Sequence, residues 1–89
     1  MIEHLGNYSK QKANNSAIEI NGLTYYFSYT TLIGVSNSQR IILRQNSWGP
    51  TTGKHLNAIS TESPRLELED FNKAVAMMER YQTTTKYLQ

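Results

Sequence analysis

The residues best placed to do chemistry lie in one run, Trp48-Gly49-Pro50-Thr51-Thr52-Gly53-Lys54-His55-Leu56. Gly49-Pro50 forces a bend, Thr51 or Thr52 can cap a helix, and Leu56 and Ile59 at i, i+3 predict a short helix beginning near Gly53. A Thr-Thr-Gly-Lys helix start sets backbone N–H groups beside a lysine, an arrangement able to hold a phosphate or a carboxylate. It is not a nucleotide-hydrolysing loop, because the leading glycine of G-x-x-x-x-G-K-S/T is missing and His55 stands where the Ser or Thr belongs. Two readings of the run stay open. In one, Trp48 plugs an end of the core with its indole N–H on a carbonyl, and Thr51, Thr52 and Gly53 form a structural loop. In the other, Lys54 and His55 meet a partner directly.

His55 brings no catalytic system with it. Asp70 is the single aspartate, and two histidines without neighbouring carboxylates make neither a metal site nor a hydrolase triad. Cysteine is absent, which removes disulfides, zinc ribbons, thiol nucleophiles and iron–sulfur ligation together. The expectation is a protein without metal, cofactor or enzymatic activity.

The second candidate set is Tyr26, Arg40 and Arg44, placed by strand periodicity on a sheet face. An aromatic ring beside guanidinium groups on an open sheet is the equipment of single-strand nucleic-acid binding, and Lys10 and Lys12 would add phosphate contacts. An ordinary solvated sheet face carries the same residue types, and two lysines in a polar segment are ordinary solubilising residues.

The elements that must position these groups follow from periodicity. Residues 1–16 are mostly polar and read as a flexible N-terminal arm, leaving 17–89 as a single domain. Ala17-Ile18-Glu19-Ile20 alternates as a strand and ends at Asn21-Gly22, the dipeptide suited to a two-residue hairpin turn. Leu23, Tyr25, Phe27 and Tyr29 then fall on one face of a second strand, with Thr24, Tyr26 and Ser28 on the other. Thr31 to Ser36 is a third β-rich segment, Ser36-Asn37-Ser38 a turn, and Gln39 to Gln45 a fourth strand. Near the C-terminus the period changes: Leu68, Phe71, Ala74, Val75, Met78 and Tyr81 form a helical stripe, with Glu67, Glu69 and Asp70 in the first turn. Thr83 to Thr85 predict fraying at its end, from which Tyr87 and Leu88 can dock back. The expected fold is α+β: an antiparallel meander of about four strands, a short helix, and a C-terminal helix packed on one face. A homodimer is an alternative cover for the other face, through Leu32, Ile42 and Tyr26.

Composition supplies the boundary conditions. The chain has 89 residues, of which 18% are charged, while Ser, Thr, Asn and Gln supply 30. The formal net charge of +2 divides into +3 over residues 1–61 and −1 over the remainder, so the sheet side is the basic one. The longest apolar run is three residues, far below the ~18 of a membrane span, and the N-terminus has no apolar signal core. A cytoplasmic location is expected.

Trp48, Thr51, Thr52, Gly53, Lys54 and His55 together resemble the W-x-x-T-T-G-K/R-H signature of a family of short bacteriophage and prophage proteins. The resemblance spans roughly residues 18–59 and implies a phage-type origin and a β-rich core, with no reaction attached. The functional expectation is a small non-enzymatic binding protein docking on a host protein or protein–nucleic acid complex, with an anti-defence, anti-CRISPR-like inhibitor as one form. The alternative is a nucleic-acid-binding accessory protein using the basic sheet face and the Thr-Thr-Gly-Lys-His loop.

Overall fold

A computed structural model describes residues 2–9 and 14–88 of the chain, with side chains as far as residue 82. Its elements are β1 (Ile2–Gly6), β2 (Asn15–Ile20), β3 (Leu23–Ser28), β4 (Thr31–Ser36), β5 (Ile41–Arg44), α1 (Pro50–Ile59), β6 (Arg65–Leu66) and α2 (Leu68–Leu88). The strands form one sheet in chain order, every neighbouring pair antiparallel except β5 and β6. The α+β class, the meander and the helix packed on the sheet follow the sequence; the strand count is six where about four were expected.

Both additional strands are held by backbone pairing with little help from burial. Ile2–Gly6 lies inside the segment read as an arm, yet it pairs with β2 in the register Ile2↔Ile20, Glu3↔Glu19 and His4↔Ile18. All five of its residues are exposed, so no apolar periodicity announces it. β6 is two residues long, too short for any pattern, and the Gln45 N–H extends its pairing with β5 by donating to the Leu66 carbonyl at 2.7 Å. Lys10 and Lys12, and the side chains of Thr83 to Thr85, Tyr87 and Leu88, lie outside the described residues.

The predicted β2–β3 turn is present, with Asn21 and Gly22 both at positive φ, 51° and 85°, as a two-residue turn of the primed type requires. Across β3, Leu23 and Tyr25 meet α2, while Tyr26 turns to the opposite face. A bulge in β4 preserves this division: Tyr26 pairs with Gly34 and Phe27 with Leu32, which leaves Ile33 as the extra residue. Leu32 therefore packs on the α2 side and Ile33 on the other.

Each face carries a helix. α2 places Phe71, Val75 and Met78 on Leu23, Val35 and Ile42, following the predicted stripe except that Leu68 and Tyr81 at its ends are exposed. α1 places Leu56 on Ile33 and Leu43, with Tyr26 and Ile59 at the margin. The face expected to be open, or closed by a second copy, is thus covered by α1. Leu32 and Ile42 pack with α2 while Tyr26 packs with α1, so these three residues form no common patch. No helix among the described residues is long and apolar enough to cross a membrane.

Candidate functional site

The chain from the end of β5 into α1 is shaped by Asn46. Its Oδ1 accepts the N–H groups of Trp48 at 2.9 Å and Gly49 at 3.3 Å, and its Nδ2 donates to the Gly49 carbonyl at 3.0 Å. This side-chain turn folds Asn46–Gly49 tightly without burying it. Pro50, whose ring pre-sets a helical φ and whose missing N–H would have no helical partner, then opens α1. The helix thus begins three residues before the predicted start at Gly53, because the proline suits its first position. No side chain caps it: Thr51 is half-buried, Thr52 is buried and points into the fold, and neither does the capping expected of them. Gly53 sits inside the helix, where a Cβ would lie 3.2 Å from Asn46 Nδ2, so the absence of a side chain keeps the turn close.

Trp48 is left outside by this construction. It is 45% exposed, contrary to the core-plug reading, and its ring lies under the Arg44 guanidinium at 4.5 Å from the centroid. Tyr29, in the β3–β4 turn, is 56% exposed and holds φ at +57°, a left-handed conformation unusual for a bulky residue, while its N–H donates to the Asn14 carbonyl at 2.7 Å. Tyr29, Trp48 and Thr52 line two adjoining clefts of about 220 Å³ each. Ser28, Thr31 and Ile33 complete the first of them.

Beneath the surface a buried polar cluster joins α1 to β3. Ser28 Oγ is 3.0 Å from Thr52 Oγ1 and 2.7 Å from His55 Nδ1, and all three side chains are at most 5% exposed. Thr52 and His55, three apart on α1, reach the same serine because they share a helix face. Tyr8 closes the cluster, its ring 6.0 Å edge-on to His55 and 5.3 Å from Tyr26, and its hydroxyl donates to the Phe27 carbonyl. Burial first, and then the neighbouring Tyr26, push the Tyr8 hydroxyl well above its ordinary pKa, so it stays a neutral donor. Ser9 and Asn15 exchange two hydrogen bonds of 2.9 and 3.1 Å, which pin this segment to the start of β2. A serine bonded to a histidine ring nitrogen is also what a nucleophile and its base present. Here His55 is fully buried, Ser28 borders the first cleft, and the hydroxyl holds two elements together.

The predicted residues are therefore divided. Lys54 is exposed and Arg44 is half-buried against Trp48. His55 is fully buried and Tyr26 is half-buried with its hydroxyl on Ser36 Oγ at 3.0 Å; helix α1 and Tyr8 pack against them. Arg40 lies apart in the β4–β5 turn, bordering a groove with Met77, Met78 and Tyr81 of α2. The aromatic partner of the site, Tyr29, is one that periodicity assigns elsewhere: the alternation places it with Leu23 and Tyr25 on the α2 side of β3, and only the turn swings it toward Trp48. Among the described residues no three His, Asp or Glu side chains gather as a metal site would need.

Residues 2–73 match the family of unknown function DUF8033, and the chain belongs to it. No curated protein and no solved structure matches the chain.

Proposed function

We propose that this protein is a small, non-enzymatic binding module that docks on a macromolecular complex of a bacterial host cell through the surface built by Trp48, Arg44 and Tyr29. The single observation behind this reading is that the only tryptophan of the chain is held outward by the Asn46 turn, beneath an arginine and beside a second exposed aromatic. Tryptophan, tyrosine and arginine are the residues that dominate binding energy at interfaces. The clefts beside them, about 220 Å³ each, are smaller than the ~300–1,000 Å³ pockets that enclose whole small molecules. They suit one group inserted from a larger partner. The resemblance of Trp48 to His55 to the phage signature favours a phage-type protein acting in the host cytoplasm, with inhibition of a defence complex as its most specific form.

The test is capture of host complexes on tagged wild-type protein in parallel with Trp48→Ala and with Lys73→Ala, an exposed residue of α2. A stoichiometric partner retained by Lys73→Ala and lost by Trp48→Ala is the expected result. A partner held equally by all three forms places the contact elsewhere.

A further inference from the structure

We infer that the cleft between Tyr29 and Trp48 receives an unstacked base of a single-stranded nucleic acid, with Arg44 and Lys54 meeting the phosphates on either side. The inference rests on the reading that this end of the molecule is its contact surface, and it names what is contacted.

Three observations carry it. Two exposed rings, Tyr29 and Trp48, line the same cleft, and the Arg44 guanidinium lies over the second at 4.5 Å from its centroid. Stacking on aromatic and guanidinium planes is how proteins hold splayed bases, whereas bases inside a duplex are already stacked on one another. Second, the charge is of one sign. Between Glu19 and Glu62 the chain has no acidic residue, while Arg40, Arg44 and Lys54 are all cationic. The β3–β4 turn, the Trp48 turn and α1 all fall inside that acid-free stretch. Four of the seven acids, Glu67, Glu69, Asp70 and Glu79, lie in or beside α2, while Glu19 and its partner Glu3 sit four positions along β2 from Asn15, the residue that pairs with Ser28 at the cleft end of β3. A surface combining aromatic rings with unopposed positive charge complements a polyanion with exposed bases better than it does an apolar peptide. Third, Tyr29 holds its ring at the cleft from a left-handed backbone that glycine would adopt at less cost. A strained position filled by a large aromatic residue is the pattern expected where the ring itself is used.

Trp48, as the sole tryptophan, is a built-in reporter at the cleft. Its fluorescence is followed while oligothymidylate or oligouridylate of about eight nucleotides, within the span single-strand modules cover, is added to the full chain. Saturable quenching is expected, with log affinity falling against log salt with a slope of about −1.4 for two phosphate contacts, and by about 0.7 less in Arg44→Ala or Lys54→Ala. Tyr29→Gly, which removes the ring and relaxes the backbone so that folding is not the limiting step, is expected to weaken binding roughly 5- to 150-fold. Tyr29→Phe keeps the stack and restores it. Trp48→Ala, read through a labelled oligonucleotide, loses affinity to the same degree.

Absence of quenching overturns the inference, as does equal affinity for a duplex of the same sequence, or unchanged affinity in Tyr29→Gly. Should the oligonucleotides fail while host capture survives nuclease and is lost in Trp48→Ala, the surface is a protein-docking one: the base site falls and the binding-module reading stands. Failure of both experiments removes the two together.

Discussion

Ser28→Ala tests whether the buried cluster holds α1 on the sheet. The substitution removes one oxygen and opens almost no space, so its effect isolates hydrogen bonding from packing. Ser28 Oγ serves Thr52 at 3.0 Å and His55 at 2.7 Å, and His55 is 0% exposed. Leaving a buried polar atom without that bond costs about 1–3 kcal/mol. A domain of this size unfolds with roughly 5–15 kcal/mol in hand, and each kcal/mol moves its melting temperature by about 4–8 °C. Ser28→Ala is therefore expected to lower the midpoint by roughly 5–20 °C, read by far-ultraviolet circular dichroism. The urea slope should stay unchanged, because the same surface is exposed on unfolding. Thr52→Val keeps the Ser28–His55 bond and is expected to cost less. Combined with Ser28→Ala it should show a coupling energy of at least ~0.5 kcal/mol, since the two hydroxyls are in contact. A Ser28→Ala protein within ~0.5 kcal/mol of wild type, with no coupling to Thr52, would refute the argument.

Two further outcomes follow from burial and from ionisation. Phe71→Ala, at a side chain 1% exposed, is expected to cost about 3–5 kcal/mol in urea unfolding; Trp48→Ala should cost about 1 kcal/mol, the scale of an exposed cation–π contact, and Lys54→Ala less than ~0.5. Equal losses from Phe71→Ala and Trp48→Ala would return Trp48 to the core. The hydroxyls of Tyr8 and Tyr25 are both raised above 10.0, chiefly by burial, and Tyr25 also by donating to Glu79 Oε2 at 2.7 Å. The unfolded chain then ionises first, so their contribution is intact below pH 10 and is lost as pH rises above it. A urea midpoint equal at about pH 8 and about pH 11 would contradict this, and Tyr25→Phe should flatten the decline.

Most of the scaffold is legible in the sequence where a local signal and a tertiary need agree. The Asn21-Gly22 turn, the two-faced pattern of Leu23 to Phe27, and the buried positions Phe71, Val75 and Met78 combine both. What stays hidden is determined by partners distant in the chain. β1 exists because the edge of β2 offers unpaired backbone groups to Ile2–Gly6, and a fully exposed five-residue strand carries no period to read. The early start of α1 is the reverse case. Pro50 is a recognised first-turn residue, but the Thr-Thr-Gly run behind it resembles a loop until Leu56 is seen to close against Ile33 and Leu43.

The candidate site shows why a motif is a poor guide to which of its members act. In Trp48 to His55 some side chains point out of the fold and others into it, as the turn and the helix dictate. Trp48 and Lys54 face solvent, whereas Thr52 and His55 are buried against Ser28. One contiguous signature therefore joins two jobs: an inner pair that fastens α1 to β3, and an outer pair that is free to touch a partner. Residue type inverts the assignment, since tryptophan reads as core and histidine as chemistry. The inversion comes from Asn46, which turns the chain before Trp48 can reach the sheet, and from the three-residue spacing that aims His55 at a serine 27 positions earlier. Substitutions of the inner pair should thus act on stability first and on binding only through it, while those of the outer pair act chiefly on binding, with at most about 1 kcal/mol of stability at Trp48. The final member of the contact surface, Tyr29, lies outside the signature altogether, brought to Trp48 by the same β3–α1 contact that hides His55.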